Sequence, residues 1–279
     1  AVGGSTGQGG GGAAGTGATT TGSGGAGASS SGGGVPSTGC GNAAAPTGVI
    51  NGTIDAASLT RTYVLSVPEG YDPNTPIPLV FAWHGRGGNG TLARNYFGIE
   101  QQAAGGAIFV YPDGLQVDLG GTGWELQPGN RDLALFDALL AELAATYCID
   151  EDRVFSTGHS FGGYFSNTLG CYRSDVLRAI APVAGGGPHW PGCSGSVSAW
   201  LTHGINDAVV NFTEGENSRN HWLAADGCGS TTAAVSPSPC EAYDGCSAGT
   251  AVTWCPHGGG HEWPAFAAGG IWGFFASAP

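Results

Sequence analysis

Short apolar runs alternate with longer stretches of helical periodicity along most of the chain. The apolar runs are five to eight residues long and are mostly bounded by Gly, Pro or Asp, a pattern that predicts buried β-strands. The predicted strands are 61–68, 77–84, 107–112, 153–157, 179–184, 198–203 and 251–255.

Helical patterns occupy the segments between these strands. In the clearest one, 131–147, the apolar residues Leu133, Phe136, Leu140 and Leu143 recur every three or four residues. Further helices are predicted at about 92–104, 162–172, 213–226 and 264–276. Strands that alternate with helices predict the α/β class, with a mostly parallel sheet and helices on both of its faces.

Composition divides the 279 residues into two parts. Residues 1–39 are almost wholly Gly, Ala, Ser and Thr, and the first charged residue is Asp55. Because this segment has almost no large apolar side chains to bury, we interpret 1–39 as a flexible linker. Residues 40–279 have a length that is typical of a single α/β domain.

Charge and hydropathy exclude some partners. The net charge is −13, with eight Arg and no Lys, so the sequence offers no basic patch for a nucleic acid. It contains no run of about 20 apolar residues and predicts no transmembrane helix. The chain begins with neither Met nor an apolar leader, which is typical of a processed or trimmed chain.

Eight cysteines, an even number, predict a disulfide framework and an extracellular protein. Three of them lie in 228–250, a polar and Pro-rich region without a clear period, which we expect to be an irregular excursion held by bridges. The alternative is a structural zinc site built from Cys240, Cys246, Cys255 and His257, although their spacing contains no Cys-x-x-Cys knuckle. We predict no metal and no cofactor.

The chemistry centres on Ser160, within the stretch GHSFG at 158–162. This stretch follows the predicted strand 153–157 and leads into the predicted helix 162–172, which is the context of a Gly-x-Ser-x-Gly nucleophile elbow. The flanking glycines allow a tight turn that projects the hydroxyl at the carboxyl end of the sheet. The alternative is a serine in a Gly-rich turn without catalytic function.

Two backbone N–H groups are predicted to form an oxyanion hole. One belongs to Phe161, at the N-terminus of the helix that follows the serine. The other belongs to Arg86, in the loop HGRGG at 84–88, whose glycines allow a sharp bend after a predicted strand. A Gly-rich connection without a role is the alternative for this loop.

The acid and base should follow the serine in the order acid, then histidine. Asp207 lies just beyond a predicted strand and is the predicted acid; Asp226 and Asp244 are rivals, and an Asx-turn or helix cap is the alternative role for Asp207. His261, on a Gly-rich loop after the last predicted strand, is the predicted base, with His257 as its rival. The imidazole would take the serine proton while the serine attacks an ester carbonyl.

Three residues are predicted to contact substrate. Trp124 and Trp263 lie on loops near the predicted site, where they could stack on an aromatic or apolar acyl group, or else belong to the core. His159 adjoins the nucleophile. His84 and His203 receive structural roles only.

The order of several motifs resembles that of one known family. The motifs are TGCG (38–41), the stretch 61–88 that ends in FAWHGRGG, CIDEDRVFSTGHSFGG (148–163), THGINDAVVNF (202–212) and GGGHEWP (258–264). Together they resemble the feruloyl esterases of carbohydrate esterase family one, which are related to secreted polyhydroxybutyrate depolymerases. The resemblance covers nearly all of the chain from residue 38 onward.

This resemblance implies an α/β-hydrolase fold over 40–279, with Ser160, Asp207 and His261 as the triad. It implies hydrolysis of hydroxycinnamate (feruloyl) esters of plant cell-wall polysaccharide through an acyl-enzyme. It also suggests a set of disulfide pairs, namely Cys171–Cys193, Cys228–Cys246, Cys40–Cys148 and Cys240–Cys255.

Other functions remain open from the sequence. A polyhydroxybutyrate depolymerase and an acetylxylan esterase use the same chemistry on other acyl groups. A non-catalytic hydrolase-fold module that binds polysaccharide is the alternative from a different class. The expected partner is a feruloylated polysaccharide or a small aromatic ester, and the linker 1–39 could tether the domain to an anchor or to a carbohydrate-binding module.

Overall fold

The computed structural model describes residues 1, 3–4, 34–193 and 195–279, and most of the predicted linker 1–39 lies outside them. The compact α/β unit begins at Gly34, earlier than the predicted boundary at residue 40. The N–H of Val35 donates to Asp150 Oδ1 at 3.1 Å, and the Ser37 hydroxyl donates to the Tyr147 carbonyl at 2.8 Å. Residues 34–39 are therefore part of the domain, and the linker interpretation stays a prediction for 1–33.

The described residues contain twelve strands. In chain order they are β1 (Gly48–Ala56), β2 (Leu59–Val67), β3 (Ile77–Trp83), β4 (Ile108–Pro112), β5 (Leu115–Gln116), β6 (Thr122–Gly123), β7 (Ile149–His159), β8 (Ala179–Val183), β9 (Ser198–Gly204), β10 (Thr232–Ala234), β11 (Glu241–Tyr243) and β12 (Val252–His257).

Ten of these strands form one sheet in the order β1-β2-β4-β3-β7-β8-β9-β12-β11-β10. The six central strands, from β4 to β12, are mutually parallel. Antiparallel strands extend the sheet at both edges. Because the central strands are parallel, their carboxyl ends all lie at the same end of the sheet. Loops at this end can bring together residues that are distant in the sequence.

Six helices cover the two faces of the sheet. They are α1 (Gly90–Phe97), α2 (Ile99–Ala103), α3 (Arg131–Thr146), α4 (Phe161–Tyr172), α5 (Phe212–Ala225) and α6 (Ala267–Ser277). Apolar side chains of α3, α4 and α5 belong to one core cluster, and those of α1, α2 and α6 belong to the other. No helix of the described part of the chain is both long and apolar enough to cross a membrane.

The strand period explains how both faces are filled. Along β3, Leu79, Phe81 and Trp83 point into the cluster under α3 to α5, while Val80 and Ala82 point into the other. A central strand covered on both faces is apolar throughout, as the sequence of β3 is. The prediction of an α/β protein with helices on both faces is confirmed.

Three expectations about elements need correction. The predicted helix 92–104 is two helices, because Gly98 adopts a left-handed φ of 63° and ends α1. The sequence reading missed β1, an edge strand. The segment 228–250, expected to be irregular, contributes β10 and β11, which extend the sheet beyond β12.

Four disulfides fasten this fold, and they join the pairs that the resemblance implied. Cys40–Cys148 joins the start of the domain to the residue before β7, and Cys171–Cys193 joins the end of α4 to a loop. Cys228–Cys246 and Cys240–Cys255 hold the excursion between α5 and β12.

Candidate active site

Ser160 lies at the turn between β7 and α4, with φ 56° and ψ −118°. A positive φ is costly for a residue with a side chain, so the surrounding structure must impose it. The turn depends on the two glycines. A Cβ on Gly158 would lie 2.5 Å from the carbonyl carbon of Gly162, and a Cβ on Gly162 would overlap the carbonyl oxygen of Trp83.

His261 connects the hydroxyl of Ser160 to the carboxylate of Asp207. Its Nε2 lies 2.8 Å from Ser160 Oγ, and its Nδ1 lies 2.7 Å from Asp207 Oδ2. The three residues come from the ends of three parallel strands, β7, β9 and β12. The carboxylate accepts from Nδ1–H, which leaves the lone pair of Nε2 directed at the serine hydroxyl.

The carboxylate of Asp207 is held in place by its own loop. Its Oδ1 accepts hydrogen bonds from the N–H groups of Val209 and Val210, at 2.8 and 2.9 Å. Burial opposes the charge of Asp207, but the hydrogen bonds from His261 and from these two amides outweigh it and lower the pKa of Asp207. The group that faces the imidazole is thus a carboxylate at neutral pH.

His203 also contacts this carboxylate, although the sequence predicts only a structural role for His203. Its Nε2 lies 3.0 Å from the Val210 carbonyl oxygen and 3.3 Å from Asp207 Oδ2. Both partners can only accept, so Nε2 carries the hydrogen and shares it between them, and the side chain is fully buried. The spacing of four residues from Asp207, across the end of β9, is the sequence signal that could have indicated the contact.

The rival acids and the rival base lie elsewhere. Asp226 lies at the C-terminus of α5 and accepts a hydrogen bond from the N–H of Val197. Val197 precedes β9 whereas Asp207 follows it, so Asp226 lies at the opposite end of this strand from Asp207. Asp244 is exposed in the loop after β11. His257 is the last residue of β12, and its Nδ1 accepts from the N–H of Gly259 within the loop that carries His261.

The two predicted oxyanion donors flank the serine. Phe161 is the first residue of α4, and within the described residues neither its N–H nor that of Arg86 donates to another backbone group. The Arg86 loop passes beside the nucleophile, because a Cβ on Gly85 would lie 3.4 Å from the Cβ of Ser160. Both residues line the cavity that contains Ser160, and backbone N–H groups without an acceptor at such a position can stabilise a tetrahedral oxyanion.

Hydrogen bonds of His84 and Trp124 support the start of the Arg86 loop. The N–H of Gly114 donates to His84 Nε2 at 2.8 Å, and His84 Nδ1 lies 2.7 Å from the Gly85 carbonyl oxygen. Trp124 Nε1 donates to the His84 carbonyl at 2.9 Å. Burial lowers the pKa of His84, which matches an imidazole that accepts at Nε2 and donates at Nδ1.

Two cavities that share Arg86 in their lining open at this end of the sheet. The nucleophile cavity, of about 300 Å³, is lined by Ser160, Phe161, Tyr164, Arg86, and apolar residues that include Leu126 and Val209. The Tyr96 cavity, of about 380 Å³, is lined by the loop 84–88, Leu92, Tyr96, Phe97 and His159. The loop that carries Arg86 contributes to both.

The predicted substrate contacts have different outcomes. Trp124 is 1% exposed and Trp263 is 8% exposed; the ring of Trp263 stacks on Phe97 with centroids 4.1 Å apart. Both tryptophans are therefore largely buried in the core, which leaves little of either ring accessible to a ligand. The ring of His159 lies 4.9 Å from that of His261, and burial together with the charge of His261 lowers the pKa of His159 to about 4. His159 is therefore neutral beside the site, and its contact with substrate stays a prediction.

The cysteines of the alternative zinc site are all engaged in disulfides, so Cys240, Cys246 and Cys255 offer no thiolate. Within the part of the chain that the structure describes, His, Cys, Asp and Glu side chains form no group of three that could hold a metal ion.

Comparisons with known proteins identify relatives of this chain. No protein-family model matches it. It is 32% identical over 249 residues to feruloyl esterase D of Neurospora crassa, a match that covers 81% of this chain and 82% of the relative. It is 34% identical over 262 residues to feruloyl esterase C of Emericella nidulans, covering 87% and 92% of the two chains.

Solved structures support the fold. An acetyl xylan esterase from Aspergillus awamori matches with a TM-score of 0.68 at 16% identity, over 82% of this chain and 98% of that one. A ferulic acid esterase matches with a TM-score of 0.56 at 14% identity, over 81% and 95%. These neighbours bear out the predicted α/β-hydrolase fold. Given its identity to the C and D enzymes, the chain is a carboxylic ester hydrolase and belongs to the feruloyl esterase family.

Proposed function

We propose that the protein hydrolyses hydroxycinnamoyl esters, of the feruloyl type, carried by plant cell-wall polysaccharide, with Ser160, His261 and Asp207 as its triad. The observation that carries the proposal is the continuous hydrogen-bonded chain from Asp207 through His261 to Ser160, in a member of the feruloyl esterase family. Family membership favours catalysis over the alternative of a non-catalytic binding module.

The mechanism follows from the geometry. His261 Nε2 removes the proton from Ser160 Oγ as the oxygen attacks the ester carbonyl carbon. The oxyanion that forms accepts from the N–H groups of Phe161 and Arg86, and each such donor typically lowers the barrier by about 3 kcal/mol. The imidazolium gives its proton to the leaving alcohol. Water, activated by the same imidazole, then releases the acid from the acyl-enzyme.

The nucleophile cavity favours an aromatic acyl group. Phe161, Leu126 and Val209 supply apolar walls, and Val209 is 70% exposed, so its apolar surface is available to a ligand. A polar group lies at the wall as well. The Tyr164 hydroxyl lies 3.5 Å from Glu214 Oε2. Such a polar pair can hydrogen-bond the phenol of a hydroxycinnamate, whereas the methyl group of an acetyl ester offers it no partner.

The size of the preference can be estimated from burial. If the cavity covers about 100 Å² of the phenyl ring, the gain is about 2.5 kcal/mol, or about 70-fold in kcat/KM. Methyl ferulate should therefore exceed methyl acetate, which has the same leaving group, by about this factor. An acetylxylan esterase would give the reverse order.

The test is a set of rates on methyl ferulate, methyl caffeate, methyl sinapate and methyl acetate, together with release of acid from polyhydroxybutyrate film. Ser160→Ala should abolish all turnover, and Ser277→Ala, which alters an exposed serine of α6, is its matched control. A wild-type enzyme that prefers methyl acetate or the polyester film over methyl ferulate would refute the proposed acyl class.

We further propose that the protein works outside the cell. Four disulfides within one domain are typical of proteins that mature in an oxidising compartment. A feruloylated polysaccharide is also an extracellular substrate. Recovery of the protein in the culture medium, with its eight cysteines resistant to alkylation before reduction, would support this location, and cytoplasmic recovery with free thiols would refute it.

A further inference from the structure

The Tyr96 cavity has no role in the mechanism as described so far. It lies across the Arg86 loop from the nucleophile cavity, and two of its exposed walls are Leu92 and Tyr96 of α1. Tyr96 is 51% exposed, so part of its ring is open to a ligand.

The position of the cavity relative to His261 indicates which half of the ester it faces. In ester cleavage the leaving oxygen takes its proton from His261 Nε2, so the leaving alcohol must lie on the side of that imidazole. His159 lines the Tyr96 cavity and also neighbours the imidazole: its ring centroid is 4.9 Å from that of His261 and 5.6 Å from that of Tyr96. The Tyr96 cavity therefore begins on the leaving-group side.

Tyr96 has the properties of a platform for a sugar ring. Its hydroxyl accepts from the N–H of Trp263 at 2.8 Å, which fixes the ring without using its faces. A fixed aromatic ring offers apolar contact to the C–H face of a sugar at a small cost in side-chain entropy. The exposed guanidinium of Arg86, at the rim shared by both cavities, can donate to sugar hydroxyls.

We propose that the Tyr96 cavity binds the sugar half of the substrate, with the ring of Tyr96 as its contact surface. This inference rests on the proposed function for the identity of the alcohol. It assigns the two halves of the ester to two cavities: the acyl group to the nucleophile cavity and a pentose unit to the Tyr96 cavity.

The test uses the reverse of the acylation step. When the acyl-enzyme forms from methyl ferulate, a hydroxyl of added L-arabinose can attack in place of water. The Ser160 ester bond breaks, an ester bond to the pentose forms, and the proton of the pentose hydroxyl returns through His261 to Ser160 Oγ. The ratio of feruloyl pentose to free ferulate reports binding at the leaving-group side, independently of how fast the acyl-enzyme forms.

In the wild type this ratio should rise with the concentration of L-arabinose. Tyr96→Ala should lower it about tenfold relative to the ratio of ethyl ferulate to free ferulate measured with ethanol as the acceptor, because ethanol is too small to contact the ring. Tyr96→Phe, which loses the hydrogen bond to Trp263 but keeps the ring, should stay within about twofold of wild type. Tyr96→Leu, which fills the volume without a flat ring, provides a second variant should the alanine variant fold poorly, and should lose about fivefold.

Three results would overturn the proposal. One is an unchanged pentose ratio in Tyr96→Ala and Tyr96→Leu. Another is an equal loss in Tyr96→Phe, which would assign the effect to the hydrogen bond with Trp263. The third is a Tyr96 variant whose preference for methyl ferulate over methyl acetate changes while its pentose ratio does not. That result would place the acyl group in this cavity. A wild type that cleaves p-nitrophenyl acetate but not methyl ferulate refutes only the feruloyl preference, and the same ratios can then be measured with the acetyl donor.

Discussion

Replacement of Asp207 by Asn tests how the site fixes the imidazole tautomer. The N–H groups of Val209 and Val210 both donate to Oδ1, at 2.8 and 2.9 Å. In Asp207→Asn these two donors require the amide oxygen at that position, which turns the amide NH₂ toward His261 Nδ1. The imidazole must then accept at Nδ1 and carry its hydrogen on Nε2, where it can no longer take the proton from Ser160.

The expected loss is large and specific to catalysis. A triad histidine held in the wrong tautomer loses about 10³- to 10⁴-fold in kcat, equivalent to about 4 to 5.5 kcal/mol of barrier. Stability should change less: both backbone donors keep a neutral acceptor, but His203 Nε2–H loses Oδ2 as an acceptor and keeps only the Val210 carbonyl, so the free energy of unfolding should fall by about 1 to 2 kcal/mol. KM should change little, since the amide lies behind the imidazole and does not face the cavities.

The assay is kcat and KM on methyl ferulate, with unfolding by urea measured on the same samples. Asp226→Asn is the matched control: the carboxyl is buried as deeply, but at the opposite end of the sheet, and kcat should stay within about twofold. If Asp207→Asn retains more than a tenth of wild-type kcat, the account of the tautomer is wrong.

Three further outcomes follow from other contacts. Burial raises the pKa of Asp226 to about 7, so the folded protein keeps a proton that the unfolded chain releases near pH 4. Stability from this group is therefore complete below about pH 4 and is lost as the pH rises toward 7. With solvent screening the loss is at most about 4 kcal/mol; Asp226→Asn should recover most of it in urea unfolding near pH 8 and none near pH 4. His84→Phe removes the acceptor of the Gly114 N–H and should lower kcat about 10- to 100-fold while the fold persists by circular dichroism; an unchanged kcat would show that the Arg86 loop needs no such support. Because the Cys240–Cys255 bridge anchors the strand that leads into the His261 loop, a reductant should lower esterase activity before it unfolds the sheet, and activity that persists through full reduction would contradict this.

The strongest sequence patterns predicted the elements that position the site. The strand before Ser160 and the helix α3 have strong local signals, namely a short apolar run and apolar residues at helical spacing. The order serine, aspartate, histidine, with each residue just beyond a predicted strand, was enough to select the three residues that the structure brings together. Parallel strands place their carboxyl ends at the same end of the sheet. Residues that follow different strands in the sequence therefore meet there in the fold.

The features that sequence reading missed depend on tertiary contacts. The edge strand β1 alternates between exposed and half-buried residues and includes Gly48 and Gly52, so it lacks an apolar run. Trp124 and Trp263 lie in loops, and the sequence does not tell whether a loop aromatic points at a ligand or into the core. The contacts of His203 with Asp207 and of Tyr96 with Trp263 join residues 4 and 167 positions apart, and only the first spacing is visible as a signal in the sequence.

Peptide mass spectrometry after treatment with a fluorophosphonate probe tests most directly whether Ser160 is a nucleophile activated by His261. A single modified residue, Ser160, is expected, with a labelling rate at least about 1000-fold lower in His261→Asn, and His257→Asn, the matched control, should stay close to wild type. Modification of a different residue, or labelling of His261→Asn at the wild-type rate, would contradict it.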